Sequence, residues 1–304
     1  MPLEPWLVEW CTQKLGAQPV EVLLEASAVS EVWGLRLDDG REVVVKRRPD
    51  ASRRAATCLA VHQAVVEAGL PCARPLTDIS IVNGLAVRAE EWRPGGEVAP
   101  GNDPRTAERS ARLYAAAMRV TAGLQLTPPL PNPEWVHWDH NGPGEWPPNP
   151  LHDTRPGANE LPPDLVAIAI RTRQRLLNTN LRNVLGHADW EAQNLRWNGE
   201  TPYLIHDWDS VAWLPEAALI GAAAGAFASN QTPTLAPLAS SEAFLNVFPH
   251  LTPDELEVAW AASLWPALHN ARAEILWNQP PVALTALREQ AEARLHRAGV
   301  QTDC

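Results

Sequence analysis

Short alternations of apolar and polar residues fill most of the first ninety residues, and this pattern predicts β-strands. An amphipathic helix, Trp6 to Leu15, precedes the strands. Asp39-Gly40 and Asn83-Gly84 have the composition of tight hairpin turns. The predicted strands are Val20–Glu25, Val32–Leu37, Glu42–Lys46, Ile79–Val82 and Leu85–Ala89, with a helix at about Ser52–Ala68 between the third and the fourth.

The pattern changes after about residue 104, because apolar residues then recur at helical spacing. Residues 128–163 are an exception, since they are irregular and crowded with Pro, Gly and Trp. Such a long segment is often functional, and its tryptophans could either stack on a ligand or pack in a core. The predicted helices are about Thr106–Leu124, Asp164–Leu177, Glu216–Ala228, Ser240–Val247, Pro253–Trp277 with a bend at Pro266, and Pro281–Ala298.

Composition places the chain among ordinary globular proteins, with 45% apolar and 20% charged residues in 304. The net charge of −11 argues against a nucleic-acid partner, because phosphate binding needs a basic surface. An acidic chain suits a cationic small substrate, although acidity also simply keeps a protein in solution.

The cysteines and the N-terminus bear on the compartment. Cys11, Cys58, Cys72 and Cys304 show no C-x-x-C pairing, which argues against a disulfide framework or a zinc site. The first residues lack the pattern of a secretory signal, and no apolar run approaches membrane-spanning length. We therefore expect a reduced, cytoplasmic protein without a membrane partner.

The stretch with the clearest chemistry runs from Val184 to Asp209. It contains Asp189, then Asn194 five residues later, and Asp207 after a predicted hairpin that turns at Asn198-Gly199. A hairpin of that size would bring Asn194 and Asp207 together at its open end. Phosphoryl transfer needs a carboxylate at the attacking hydroxyl and oxygen ligands for Mg²⁺, and these three residues can supply both.

The pattern His187-Ala188-Asp189, then Asn194, then Asp207-Trp208-Asp209 resembles the aminoglycoside phosphotransferase and choline kinase family. Alanine stands here for the usual glycine of H-G-D, and Asp209 for the usual glutamate of I-D-W-E. The resemblance implies an α+β, two-lobed protein-kinase-like fold. It assigns residues 1–92 to a small β-rich nucleotide-binding lobe and residues 93–304 to a larger, mainly α-helical catalytic and substrate-binding lobe.

The resemblance also implies roles for the residues of the motif. Asp189 would accept or orient the proton of the acceptor hydroxyl, and Asn194 and Asp207 would bind Mg²⁺. His187 would brace the loop. Asp209 stays open between contacting metal-bound water, capping a helix and contacting the substrate.

Nucleotide contacts are expected in the N-terminal lobe. Lys46 ends the strand Val43–Lys46 and resembles the lysine that reaches the nucleotide phosphates in kinases. Ser27 and Ser30 are candidates in the loop 26–30 over the phosphates, and Glu91 and Trp92 in the hinge segment that starts at Glu90.

One expected residue is missing. The helix after Lys46 should carry a glutamate that pairs with this lysine, yet residues 51–66 contain no acid, and Cys58 falls near the expected position. Either another carboxylate, such as Asp207, holds Lys46, or its conformation is controlled differently.

The activity implied by the resemblance is Mg²⁺-dependent transfer of phosphate from ATP or GTP to a hydroxyl of a small molecule that could be cationic. The leading acceptor class is an aminoglycoside or another antibiotic, and the second is a metabolite such as an amino alcohol, a sugar or a homoserine-like compound. A nucleotide-binding pseudoenzyme is the alternative of a different class. A protein kinase fits less well, because no D-F-G follows the hairpin. His269, Asn270 and Glu274 could line the acceptor pocket or simply face solvent.

Overall fold

The computed structural model of the chain describes residues 3–27, 30–101 and 103–301. Its N-terminal part is an antiparallel five-stranded sheet in the order β1-β2-β3-β5-β4, with one helix on each side of β1–β3 in the chain. The elements are α1 (Pro5–Leu15), β1 (Pro19–Ser27), β2 (Glu31–Leu37), β3 (Glu42–Pro49), α2 (Ala55–Glu67), β4 (Ser80–Val82) and β5 (Leu85–Glu91). Every strand predicted in this region is present, with ends that differ by a few residues.

The two faces of this sheet have different chemistry, because side chains alternate along each strand. Val45 packs with α1 in a small apolar core. Lys46 and Arg48 on β3 alternate with that row and occupy the opposite face. On the neighbouring strand, Arg88 pairs with Lys46 in register, and Glu90 lies two residues further along the same face. This charged face contacts the C-terminal part, since Arg48 and Arg88 form ion pairs with Asp209.

The C-terminal part is mainly helical and holds the larger apolar core. Four short strands form two small antiparallel pairs, β6 with β9 and β7 with β8. The elements are α3 (Pro104–Thr121), α4 (Pro150–Asp153), α5 (Pro163–Leu177), β6 (Asn183–His187), β7 (Leu195–Asn198), β8 (Thr201–Ile205), β9 (Val211–Pro215), α6 (Glu216–Ala226), α7 (Leu238–Leu245), α8 (Pro253–Ala262), α9 (Trp265–Leu276) and α10 (Val282–Arg297). The architecture confirms the predicted α+β class.

Helix α6 is the centre of the C-terminal core, as its even apolarity indicates. All its residues from Ala217 to Ala226 are buried. A Cβ added to Gly221 would lie 2.0 Å from the carbonyl oxygen of Ala259 on α8. Glycine therefore permits a helix contact here that no other residue allows.

Two details of the sequence prediction were wrong. The hairpin turn is Gly199-Glu200, because Asn198 pairs with Thr201 and a register shift separates Arg196 from Trp197. A one-residue irregularity of this kind leaves no mark in the turn composition.

The predicted long helix Pro253–Trp277 is two helices. It breaks after Ala262, and α9 begins at Trp265 with Pro266 in its first turn. Proline is well placed there, because it lacks the N–H group that a residue further inside a helix must donate.

Candidate active site

The small strands place two of the three aspartates of the motif, Asp189 and Asp207, in one cavity. Strand β6 ends at His187, and the loop that follows carries Asp189. The β7–β8 hairpin returns the chain beside this loop, where the His206 N–H donates to the Asn194 carbonyl oxygen at 2.8 Å. Asp189 and Asp207 then line a common cavity of about 210 Å³ between the two parts of the chain.

Asn194 holds the carboxylate of Asp189. Its Nδ2 donates to Asp189 Oδ2 at 2.9 Å and to the Asp189 backbone oxygen at 3.0 Å. Burial raises the pKa of Asp189 well above its usual range, the charges of Glu191 and Asp207 raise it further, and the bond from Asn194 opposes them. The group is therefore oriented, and the charged side chains that shift its pKa are both acidic.

Asp207 adopts a left-handed backbone conformation, with φ +59° and ψ +47°. This region is uncommon for residues other than glycine, although aspartate tolerates it. Its Oδ2 accepts from Ser210 Oγ at 2.9 Å.

The donor set that Asn194 and Asp207 offer fits Mg²⁺. An amide oxygen and a carboxylate are hard oxygen ligands, and Mg²⁺ usually takes one or two carboxylates together with waters and substrate phosphates. Over residues 3–27, 30–101 and 103–301 there is no cluster of three or more His, Cys, Asp or Glu side chains arranged for a metal. By donor type, Asn194 and Asp207 suit an ion whose other ligands are waters and phosphate oxygens.

His187 braces the loop, as the motif suggested. The Asp189 N–H donates to its Nδ1 at 3.2 Å, so the neutral ring carries its proton on Nε2 and donates it to the His206 carbonyl oxygen at 2.9 Å. Burial lowers the pKa of His187, which keeps the ring neutral. The ring packs edge-on against Trp190 and Trp208.

Lys46 contacts a carboxylate that the sequence prediction placed in the hinge. Strand β5 continues to Glu91, so Glu90 is a buried strand residue and its Oε1 lies 2.9 Å from Lys46 Nζ. Arg88 Nη1 donates to the other oxygen at 2.7 Å. Burial raises the pKa of Glu90, but Lys46 and Arg88 more than offset this and lower it to about 2.

Asp209 belongs to the same network of charges. Arg88 Nη2 lies 3.2 Å from its Oδ1, and Arg48 Nη1 lies 3.7 Å from its Oδ2. Burial raises the pKa of Asp209, yet Arg88, Lys46 and Arg48 together bring it below its usual range. The sequence left open three roles for Asp209, namely contacting metal-bound water, capping a helix and contacting the substrate, and this ion pairing is a fourth.

The other predicted nucleotide residues lie around the sheet. Ser30 lines the cavity, whereas Ser27 is exposed at the end of β1, and Ala28 and Val29 of the predicted loop lie outside the described residues. Glu91 pairs with Arg74 at 2.8 Å.

Trp92 lies on the charged face of the sheet near its end. A Cβ on Gly34 of β2 would lie 2.5 Å from Cζ3 of the indole. The Trp92 N–H donates to the Glu42 carbonyl oxygen at 3.3 Å, and the Glu91 N–H to Arg74 at 2.9 Å. Both amides are thus engaged within the protein, so a nucleotide contact of either residue would use other groups.

Several cavity residues were missed by the sequence analysis. Arg48 could have been found, because it follows Lys46 by two and so shares its face of the strand. Glu191 lies in a loop, where no periodicity reports direction; burial raises its pKa to about 7, with a further contribution from Asp207. The cavity is lined by Ser30, Arg48, Trp135, Ala188, Asp189, Glu191, Asp207, Ser210, Ala226, Pro233, Pro266, His269 and Asn270.

The acceptor candidates separate into two groups. His269 and Asn270 line the cavity, whereas Glu274 is buried and accepts from the Ala283 and Leu284 N–H groups at 2.7 and 3.0 Å, where it caps α10. From the irregular segment, Trp135 lines the cavity.

Comparison with known proteins assigns the chain. The model of the phosphotransferase enzyme family (APH) matches residues 23–218, which is more than half of the sequence. The chain belongs to the phosphotransferase enzyme family. This confirms the resemblance and the predicted enzyme class, a phosphotransferase with a hydroxyl acceptor.

Solved structures similar to this phosphotransferase share its fold at low sequence identity. Amicoumacin kinase hAmiN in complex with AMP-PNP, Ca²⁺ and Ami has 16% identity and a TM-score of 0.63, covering 92% of this chain and 87% of that one. Aminoglycoside phosphotransferase APH(4)-Ia, a thermostable mutant in ternary complex with AMP-PNP and hygromycin B, has 15% identity and a TM-score of 0.60, covering 97% and 99%.

An aminoglycoside phosphotransferase from Alicyclobacillus acidocaldarius has 14% identity and a TM-score of 0.56, covering 98% of this phosphotransferase and 94% of that chain. These similarities confirm the protein-kinase-like fold. No curated protein matches the sequence significantly. Within the described ranges of the phosphotransferase, no helix combines the length and the apolarity needed to cross a membrane.

Proposed function

We propose that this phosphotransferase transfers the γ-phosphate of ATP or GTP to a hydroxyl of a small amine-bearing molecule, with an aminoglycoside or a related antibiotic as the leading class. The observation that carries the proposal is the cavity shared by Asp189, Glu191 and Asp207. It brings together the proposed base Asp189, the proposed metal ligand Asp207 and a third acidic side chain, Glu191.

Asp189 is the residue proposed to act on the acceptor. It orients the hydroxyl and takes its proton, while the hydroxyl oxygen forms the new bond to the γ-phosphorus and the bond to the nucleoside diphosphate breaks. Asn194 fixes the carboxylate for this role. Arg48, which also lines the cavity, is placed to offset negative charge on the transferred group.

The nucleotide is proposed to lie under the sheet, with Lys46 at its phosphates. Asn194 and Asp207 would hold Mg²⁺, which neutralises phosphate charge when it is bound. Ser30 at the cavity, Ser27 nearby, and Glu91 and Trp92 in the hinge remain proposed nucleotide contacts. We place the division between the nucleotide-binding lobe, 1–92, and the catalytic lobe, 93–304, at this hinge, and we propose a cytoplasmic location.

The charge of the cavity favours an acceptor with an amine. Among the described residues that line it, Asp189, Glu191 and Asp207 are acidic and Arg48 is the one arginine or lysine, and Trp135 adds an aromatic face. An ammonium group beside Glu191 would relieve the mutual repulsion of these carboxylates, and aromatic faces attract ammonium groups. A neutral sugar hydroxyl gains neither interaction, so among metabolites an amino alcohol fits better than a sugar.

The test is Mg²⁺-dependent release of ADP or GDP across a panel of aminoglycosides, other hydroxylated antibiotics, amino alcohols and neutral sugars. We expect release with an amine-bearing member and its loss in Asp189→Ala. Release with neutral sugars alone would contradict the acceptor class. Nucleotide binding without turnover on any acceptor would favour the pseudoenzyme alternative.

A further inference from the structure

Lys46 needs a partner in order to serve the phosphates, since a lysine side chain has many rotamers. Helix α2 contains one acid, Glu67, and it is the last residue of the helix. Helix α2 places two other residues near the charged residues Lys46, Arg88 and Asp209. The Sγ of Cys58 lies 3.5 Å from the Asp209 carbonyl oxygen, and the His62 ring stacks on Trp208. Burial lowers the pKa of His62 to about 4, so α2 brings no charge to the site at neutral pH.

The carboxylate that contacts Lys46 lies on β5, within the same sheet. Lys46 on β3 and Glu90 on β5 occupy a diagonal position across neighbouring strands, since Lys46 is in register with Arg88. Their side chains are 12% and 7% exposed, so solvent scarcely competes for the 2.9 Å contact. Strands paired by backbone hydrogen bonds keep this geometry however the helix moves.

The second oxygen of Glu90 is fixed as well. It accepts from Arg88, and Arg88 contacts Asp209, two residues after the proposed metal ligand Asp207. A lysine ammonium has three N–H donors, so contact with one carboxylate oxygen leaves donors for phosphate. Arg88 thus fixes one carboxylate oxygen of Glu90, and the other oxygen contacts Lys46.

We propose that Glu90 is the positioning residue that orients Lys46 toward the donor phosphates, in place of a helix carboxylate. The orientation of Lys46 then depends on the sheet and not on the placement of α2. This inference rests on the proposed function in one respect, namely that the donor is a nucleotide with its phosphates at Lys46.

The pairing itself can be tested without any ligand. The chain has two lysines, and Lys14 is exposed on α1, so ¹⁵N-lysine labelling gives two side-chain signals, one of them an internal control. We expect a Lys46 ammonium signal that exchanges slowly with water and that shifts or vanishes in Glu90→Gln. Glu21→Gln, the same change at an exposed ion pair of the same sheet, should leave it unaltered. An identical Lys46 signal in the wild type and in folded Glu90→Gln would overturn the proposal.

The role of Glu90 is tested by the Mg²⁺-dependent affinities for AMP, ADP and AMP-PNP, measured by calorimetry. We expect Glu90→Gln to reduce the gain in affinity from AMP to ADP by about tenfold, the equivalent of about one charge-assisted hydrogen bond, while AMP binds as before. Glu90→Asp keeps the charge, so its gain in affinity from AMP to ADP should fall by less. It replaces Glu90→Gln in this test if the glutamine variant does not fold.

The outcomes separate the two proposals. An equal loss of affinity for all three nucleotides in Glu90→Gln would mean a merely structural role and would overturn this inference alone. A wild-type protein that binds neither these nucleotides nor GMP, GDP and GMP-PNP would overturn the proposed donor, and the role of Glu90 with it, whatever the lysine signals show.

Discussion

Two pairs of buried carboxylates in this molecule have different surroundings: Glu90 and Asp209, which contact the charged face of the sheet and are called the sheet side, and Asp189 and Glu191 in the loop after β6, called the loop side. Glu90 and Asp209, on the sheet side, contact Lys46, Arg88 and Arg48. On the loop side, the charges of Glu191 and Asp207 act on Asp189, and the charge of Asp207 acts on Glu191, so both carboxylates have acidic neighbours. Burial raises the pKa of all four carboxylates; the cations more than offset this for Glu90 and Asp209, whereas acidic neighbours add to it for Asp189 and Glu191.

The difference shows how one cleft can hold both parts of a kinase site. Carboxylates that form ion pairs within the protein stay ionised, and they hold in place the cations that are proposed to contact the nucleotide. Carboxylates whose charged neighbours are acidic keep their capacity to take up a proton or a positively charged ligand. Partners, rather than residue type or burial, decide which role a buried acid takes.

The largest effect is expected from the loop side, in Asp189→Ala. Loss of the proposed base should reduce phosphoryl transfer by about 10²- to 10⁴-fold, because that is the typical contribution of general-base catalysis. Nucleotide affinity should stay largely intact. Asp254→Ala, which removes an exposed ion-pair partner of Arg175, is the control for loss of one acidic charge. Unchanged turnover in Asp189→Ala would remove the residue from the mechanism.

On the sheet side, Glu90→Gln should destabilise the fold. It leaves Lys46 and Arg88 buried without their shared partner, and breaking a buried ion pair costs about 3–5 kcal/mol. Chemical denaturation at pH 7 measures this, with Glu21→Gln expected to stay within about 0.5 kcal/mol of the wild type. Equal stability of the two variants would show that the buried pair contributes nothing.

The same substitution on the loop side should act in the opposite direction. The pKa of Glu191 is about 7 in the folded protein, above its ordinary value of 4.5, so the native state binds the extra proton and loses stability as pH rises from 4.5 to 7. Glu191→Gln should remove that loss and stabilise the protein by roughly 3 kcal/mol at pH 8, with little effect below pH 4.5. Denaturation curves at pH 4 and pH 8 test it, and a variant less stable than the wild type at pH 8 would contradict the assignment.

The smallest expected effect concerns Asp207. Asp207→Asn keeps the shape and removes the charge of the proposed metal ligand, so Mg²⁺-dependent nucleotide binding should weaken about tenfold to a hundredfold, as expected for a charged contact worth about 1.5–3 kcal/mol. Binding measured without Mg²⁺ should change much less. Identical isotherms with Mg²⁺ would exclude Asp207 from the metal site.

The sequence predicts much of this molecule, because local patterns carry it. Strand alternation, helical spacing and the Asp189–Asn194–Asp207 order are properties of neighbouring residues, and they identify the fold and the loop side of the cleft. The break before Trp265 and the shifted turn at Gly199 depend on one or two residues, the scale on which element ends are least certain.

The sheet side could not be predicted in the same way. The contact between Lys46 and Glu90 joins two residues that are 44 positions apart in the sequence, and its diagonal geometry depends on where β5 ends. The prediction ended that strand at Ala89 and so placed Glu90 in the hinge. Glu191 escaped because the direction of a loop side chain depends on the packing around it.

The most direct measurement compares Glu90→Gln and Glu191→Gln in steady-state kinetics, with nucleotide and amine-bearing acceptor varied in turn. We predict that Glu90→Gln raises KM for the nucleotide and leaves KM for the acceptor unchanged, whereas Glu191→Gln does the reverse. Two variants that raise the same Michaelis constant would contradict the division of the cleft into a donor side and an acceptor side.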